Sequence, residues 1–276
     1  MSRYEEVLDF AMELARGAGA LLREHLEARG AEESSLEFKG RRELVTAADK
    51  RAEVYLVEEI QSRFPDHGIL AEEGVLTPAG ISHRDSEFTW VLDPLDGTTN
   101  FVHGHPFFAV SIGVLRQGEP WVGVIHAPML GGRKGGDLFH GGLKSGSFLN
   151  GKPIHVSTNA RLRDAVVATG FSYNRNEEGV NTNLDNFGRA LMQVRGIRRC
   201  GSAALDLAMV AAGHYDAFWE LYLQPYDVAA GMALVLGAGG RVRTIGSGGD
   251  PIHGEDIIAS NGQVEEELLP LLEGLS

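Results

Sequence analysis

The apolar run Phe88-Thr89-Trp90-Val91-Leu92 leads without a break into Asp93-Pro94-Leu95-Asp96-Gly97-Thr98-Thr99. A β-branched and aromatic run of this kind reads as a buried strand. Its C-terminal end therefore delivers Asp93 to the margin of a core, where unpaired charge is costly. A chain carrying this string has to fold so that a sheet end meets a polar pocket, and something has to cancel the charge there. Hard divalent cations such as Mg²⁺ prefer oxygen ligands, commonly one or two carboxylates plus water and phosphate oxygens. Two carboxylates three positions apart on a turn can share such ions. The Gly-Thr-Thr step can then open a helix whose N–H groups face an anion. The plainer alternative for either acid is a turn cap.

The rest of the chain reads as a mixed α/β protein. Tyr4, Val7, Leu8, Ala11, Leu14, Ala15, Ala18, Leu21 and Leu22 recur at helical spacing, and this opening helix should end near Arg29-Gly30. A second helix should start at Thr46 and stop before Phe64-Pro65, with Ala52, Tyr55, Leu56 and Ile60 on one face. Residues 68–71 read as a short strand running into Glu72, and 107–115 and 121–126 as further strands. The glycine-rich runs at 131–142 and 237–249 read as turns, and Asn150-Gly151 as a hairpin turn. Beyond it come a strand at 165–169, helices at 184–195 and 203–212, a strand at 217–220 and a helix at 228–236. Strands at 241–244 and 256–259 and a helix over 263–272 complete the chain. The first half has long helices and hairpin-like strands, whereas the second alternates strand and helix. The expected division is an α+β domain at 1–150 and an α/β domain at 151–276, with no tether between them.

Composition removes several function classes. The formal net charge of −13 disfavours a nucleic-acid groove, which needs a basic stripe. No apolar stretch is long enough to span a membrane. Met1-Ser2-Arg3-Tyr4 lacks the basic start and apolar run of a signal peptide, and Cys200 is the only cysteine, so the expectation is a cytoplasmic protein without intrachain disulfides. Cys200 has Asp206, not arginine, six residues on, which excludes a cysteine phosphatase. A haloacid-dehalogenase phosphatase needs a nucleophilic Asp two residues before its second Asp, and Pro94 stands there. No Gly-Lys-Ser/Thr phosphate loop occurs. His103, His105, His126 and His140 show no pattern that asks for a catalytic role.

The string Leu92 to Phe101 closely resembles the signature of the inositol monophosphatase family, and the resemblance extends over nearly the whole chain. Glu72 matches the family's upstream metal-binding glutamate, with Ala71 where glycine is usual. Asp227, in Pro225-Tyr226-Asp227-Val228-Ala229-Ala230-Gly231, matches its later aspartate, with Tyr226 where tryptophan is usual. Asp49, after Val45-Thr46-Ala47-Ala48, matches the Val-Thr-x-x-Asp segment. Gly201-Ser202-Ala203-Ala204 and Glu220 resemble the segments lining the inositol side. Taken alone, Thr46 with Asp49 is a capping pair, Asp227 an N-cap and Glu72 a surface acid.

The resemblance implies a layered αβαβα sandwich, of the inositol monophosphatase and fructose-1,6-bisphosphatase type, often assembled as a homodimer. It implies two or three Mg²⁺ per site, held by Glu72, Asp93, the Leu95 carbonyl, Asp96 and Asp227. Glu72, Thr98 and Asp49 would serve catalysis by orienting water, and Gly97 and Thr98 would bind phosphate. Ser202, Ala203 and Glu220 would bind the alcohol side of a small phosphorylated polyol or sugar. Inhibition by Li⁺ is implied as well. The first expectation for the substrate is inositol-1-phosphate. Fructose-1,6-bisphosphate, histidinol phosphate and a nicotinamide dinucleotide phosphate stay open, as does a regulatory partner role.

Overall fold

The computed structural model describes residues 2–28, 36–38, 44–76, 86–132, 135–246, 249–254 and 256–272. The opening helix α1 (Arg3–Ala28) buries Tyr4, Val7, Leu8, Ala11, Leu14, Ala15, Ala18 and Leu22, the predicted stripe. Its expected end at Arg29-Gly30 lies outside the described residues. A two-stranded ladder, β1 (Leu36–Phe38) with β2 (Leu44–Thr46), precedes α2 (Ala47–Arg63) and was not predicted. Thr46 caps α2 by accepting from the N–H groups of Ala48 and Asp49, while Asp49 Oδ2 accepts the Thr46 N–H at 2.8 Å. This reciprocal box satisfies donors that the first turn leaves open.

Seven strands then form one sheet in chain order: β3 (Gly68–Ala71), β4 (Phe88–Asp96), β5 (Ala109–Arg116), β6 (Glu119–Ala127), β7 (Asp137–Gly142), β8 (Gly146–Leu149) and β9 (Lys152–Ile154). Only β3 and β4 pair in parallel. The predicted end of β4 at Leu92 is corrected. The strand runs on through both acids to Asp96, and a register shift against β5 between Asp93 and Asp96 absorbs Pro94, as a proline in a sheet requires. The run at 131–142 is also more than turns, because its last six residues form β7. Residues 133–134 and 247–248 of the glycine-rich runs lie outside the described residues. At the β8–β9 turn Asn150 and Gly151 both have positive φ, 52° and 77°, as a two-residue hairpin asks.

The second sheet has the order β11 (Gly196–Arg198), β10 (Val166–Thr169), β12 (Ala217–Leu221), β14 (Asp256–Ser260), β13 (Arg241–Arg243). Between the sheets lie α5 (Ala203–Ala211) and α6 (Pro225–Gly237). Outside the second sheet lie α4 (Leu184–Leu191) and α7 (Glu265–Leu272). The predicted helix at 184–195 stops at Leu191, and the residues after Arg195 become β11.

Alternation along the strands builds three apolar layers. Trp90, Leu92, Ile112 and Val114 face α1 and α2. Val91, Ala109 and Ile125 face α5 and α6, which also receive Ala168, Phe218 and Ala259 of the other sheet. Val167, Trp219 and Ile258 face the outer helices, meeting Ala190, Leu268 and Leu272. The result is the layered αβαβα sandwich. The first sheet closes at Ile154, and α5 and α6 pack against both sheets.

Candidate active site

A cavity of about 440 Å³ opens where the C-terminal end of β4 meets the starts of α5 and α6, a size suited to a small ligand. Six acids line it: Glu72, Asp93, Asp96, Asp206, Glu220 and Asp227. Arg199, exposed, is the one cationic side chain among its described lining residues.

The acids nearest the motif are held by donors. Asp93, 2% exposed, turns Oδ1 onto the Leu95 N–H at 2.9 Å. Asp96 Oδ2 accepts from Ser202 Oγ at 2.7 Å and from the Ala204 N–H at 2.6 Å, which fastens β4 to the start of α5. The plainer reading of Asp227, as the N-cap of a helix at 228–236, is corrected. The helix starts at Pro225, where a missing N–H costs nothing, Gln224 is the cap, and Asp227 accepts the Gln224 N–H at 2.7 Å from the third position.

Gly97 takes φ +93° at the head of α3 (Thr98–Val102). A Cβ there would lie 3.1 Å from the Phe107 carbonyl and 3.2 Å from that of Gly201, so glycine serves both the turn and the close approach. Thr98 Oγ1 donates to the Leu95 carbonyl at 3.2 Å. Asn100 Nδ2 donates to the carbonyls of Phe107 at 2.6 Å and Cys200 at 2.8 Å, tying the motif to the loop before α5.

Burial and mutual repulsion govern the carboxyls. Asp93 is held well above the ordinary carboxylate range by burial, then by the charges of Glu72, Asp96 and Asp227. Asp227 is likewise raised, by burial and then by Asp96. Burial lifts Asp96 to about 6 against the pull of Ser202 and Ala204. Glu220 is pushed up to about 8 by burial, with Arg199 opposing. So many buried and half-buried acids against one arginine fit a divalent cation, which would restore their charged forms. All-oxygen donors suit Mg²⁺. Among the described residues no three His, Cys, Asp or Glu side chains gather closely enough to hold an ion by themselves, so water and substrate oxygens would complete its shell.

Glu72, Asp93, Leu95, Asp96, Asp227, Gly97, Thr98, Ser202, Ala203 and Glu220 therefore line one cavity. Ser202 gives its hydroxyl to Asp96 and its oxygen to the Leu205 N–H. Asp49 lies outside the lining, 1% exposed, with Oδ2 in the capping box of α2. Sequence reasoning missed Glu53, which is fully buried and accepts the N–H groups of Glu73 at 2.7 Å and Val75 at 2.6 Å. These bonds anchor the turn that carries Glu72. The available signal was an acid one helical turn after Asp49. Asp206 and Arg199 were missed as site residues too.

A family model described as the inositol monophosphatase family matches residues 3–275. The chain belongs to that family. It is 38% identical to inositol monophosphatase 3 of Solanum lycopersicum over 97% of each chain. It is 42% identical to the inositol-1-monophosphatase of Synechocystis, over 84% of this chain and 78% of that one. The Nus factor SuhB of Escherichia coli is 38% identical over 95% of this chain and 94% of its own. Among solved structures, the inositol monophosphatase of Anabaena superposes with a TM-score of 0.85 at 39% identity, covering 98% of this chain and 96% of that one. As a member of the inositol monophosphatase family the chain is a phosphatase acting on small phosphorylated compounds. The family is generally metal-dependent.

Proposed function

We propose that the chain hydrolyses inositol-1-phosphate to inositol and phosphate with two or three Mg²⁺. The observation that carries this is the meeting of Glu72, Asp93, Asp96 and Asp227, from three separate elements, in one cavity that also contains Glu220. Glu72, Asp93 and the Leu95 carbonyl would hold one ion, and Asp93, Asp96 and Asp227 a second, with a weaker third leaning on Glu72 and water. Bound Mg²⁺ supplies Lewis acidity toward the phosphoryl oxygens and makes water a better nucleophile.

The protein's own groups do the positioning. The N–H groups of Gly97 and Thr98 receive phosphoryl oxygens. Thr98 orients the attacking water, with the carboxylates of Glu72 and of Asp49, at the head of α2, supporting it. No side-chain nucleophile is set for a phosphoenzyme, so attack is direct. Ser202 fixes Asp96, while Ala203 and Glu220 face the alcohol. Fructose-1,6-bisphosphate is a second reading, favoured by Arg199, which could meet another phosphate. We place the protein in the cytoplasm as a homodimer inhibited by Li⁺. The exposed apolar residues Leu184, Leu191 and Met192 support the dimer, and light scattering tests it. Phosphate release from a panel of monoesters, with and without Mg²⁺ and Li⁺, tests the activity. Failure of inositol-1-phosphate to turn over would refute the substrate.

A further inference from the structure

Asp206 is a cavity carboxylate to which the reaction described above gives no role. It lies in the first turn of α5 and is 2% exposed. Its neighbours along the helix, Ala203, Ala204, Leu205, Leu207, Ala208 and Val210, are buried and apolar. Asp206 is thus the one buried acid on a helix otherwise made for the layer between the sheets. It lines the cavity, and its Oδ1 has no hydrogen-bond partner.

Buried acceptors are almost always matched by donors. Leaving one dry and unmatched costs about 1–3 kcal/mol, and a leucine would fill the same helix position without that cost. The packing of α5 therefore gives no reason for a carboxylate, whereas the cavity that Asp206 lines does give one. The charged groups around Asp206 narrow the choice. Glu220 from β12 and Asp96 from β4 press its carboxyl upward after burial has done so, and only Arg199 opposes them. An anionic part of a ligand is repelled from this corner. A hydroxyl is suited to it, since it donates one hydrogen bond and brings no charge.

We propose that Asp206 is a specificity residue whose carboxylate accepts a hydrogen bond from a substrate hydroxyl beside the one met by Glu220. The ligand class is a polyol phosphate with free hydroxyls on adjoining carbons, away from the phosphate. The proposal rests on the polyol-phosphate reading given above and deepens it. Asp96 and the other motif acids act on the phosphate of any monoester, whereas Asp206 acts only on a substrate that carries the hydroxyl. An aryl phosphate has no such group, so it separates the two roles.

The test uses the full chain with saturating Mg²⁺ and steady-state kinetics on inositol-1-phosphate and p-nitrophenyl phosphate. Asp206→Ala should raise KM for inositol-1-phosphate about tenfold, equivalent to about 1.4 kcal/mol, and leave kcat/KM for the aryl phosphate within about twofold. Asp206→Asn keeps an acceptor oxygen and should lose less than about threefold. In a series of deoxyinositol phosphates, one analogue should erase the difference between wild type and Asp206→Ala. If Asp206→Ala does not fold, Asp206→Leu, of similar shape without an acceptor, replaces it.

Equal losses on both substrates would make Asp206 structural and overturn the proposal. So would Asp206→Asn as damaged as Asp206→Ala, since the carboxylate's charge would then be what matters, as for a bound cation. A deoxy series in which every analogue keeps the difference would overturn it too. Wild-type protein that releases phosphate from the aryl ester but not from inositol-1-phosphate would refute the underlying polyol reading. That result is seen without any variant.

Discussion

The two walls of the cavity treat their acids differently. On the wall built by β4 and the heads of α5 and α6, Asp93, Asp96 and Asp227 each accept a backbone N–H or hydroxyl hydrogen bond at 2.6–2.9 Å. On the wall built by β12 and the first turn of α5, burial raises Glu220 and Asp206 with no hydrogen bond among the causes, and Asp206 Oδ1 is unmatched. Ligands for an ion have to be fixed before it arrives, so the first wall aims its oxygens with donors from the fold. A wall that reads hydroxyls has to keep its acceptors vacant for the substrate's own donors. The carboxyl chemistry is the same, and the difference lies in who supplies the hydrogen bonds.

The strongest way to break this contrast is Asp93→Asn. It should lower kcat/KM at least about a thousandfold on every phosphate monoester, because several kcal/mol of metal-assisted stabilisation is lost. In EDTA the same variant should melt no lower than wild type, since it removes one of several mutually repelling buried acids. Near-normal turnover would show that the first wall is not the reaction centre. Glu220→Ala should act selectively, lowering kcat/KM on inositol-1-phosphate about tenfold while changing an aryl phosphate much less. Parallel losses in a two-substrate assay would erase the contrast.

A pH series on metal-free protein sharpens the comparison further. Burial raises Asp96 to about 6 and Glu220 to about 8, so the folded protein binds these protons more tightly than the unfolded chain. Their stabilising contribution is complete below the unfolded values near about 4. It is lost as pH rises through about 6 for Asp96 and about 8 for Glu220. Tm in EDTA should therefore decline between about pH 5 and about pH 9. Glu220→Gln should flatten the upper part of that decline, and Mg²⁺ the lower part. A flat profile in EDTA would contradict the burial of these acids. The smallest effect is expected for Gly97→Ala, where a side chain at φ +93° costs about 1–2 kcal/mol and Tm should drop by a few degrees, read by thermal melting.

Legibility in the sequence follows the same division. The first wall was readable because β4 carries Asp93, the bulge and Asp96 in one contiguous string, and because Pro225 and Gly231 frame Asp227. The layers were readable where periodicity is strong, as in α1, or where turn chemistry is explicit, as at Asn150-Gly151. Glycines hid β7, whose Gly141 and Gly142 sit against neighbouring backbone, a closeness that no local pattern announces. The head of α6 was misread because Asp is a good cap in isolation, whereas Pro225 moves the helix start upstream. The second wall was only partly readable. Asp206 is a single acid in an apolar helix and Glu53 one of four acids in a polar one, and their meaning comes from what tertiary structure brings close.

The central claim, that the donor-held acids of the first wall work through a divalent cation, is tested most directly by one titration. Phosphate release from inositol-1-phosphate is followed while Mg²⁺ is added to protein freed of metal with EDTA. No release above background is expected without Mg²⁺, and saturable activity as it is added. Equal release with and without Mg²⁺ would contradict the claim.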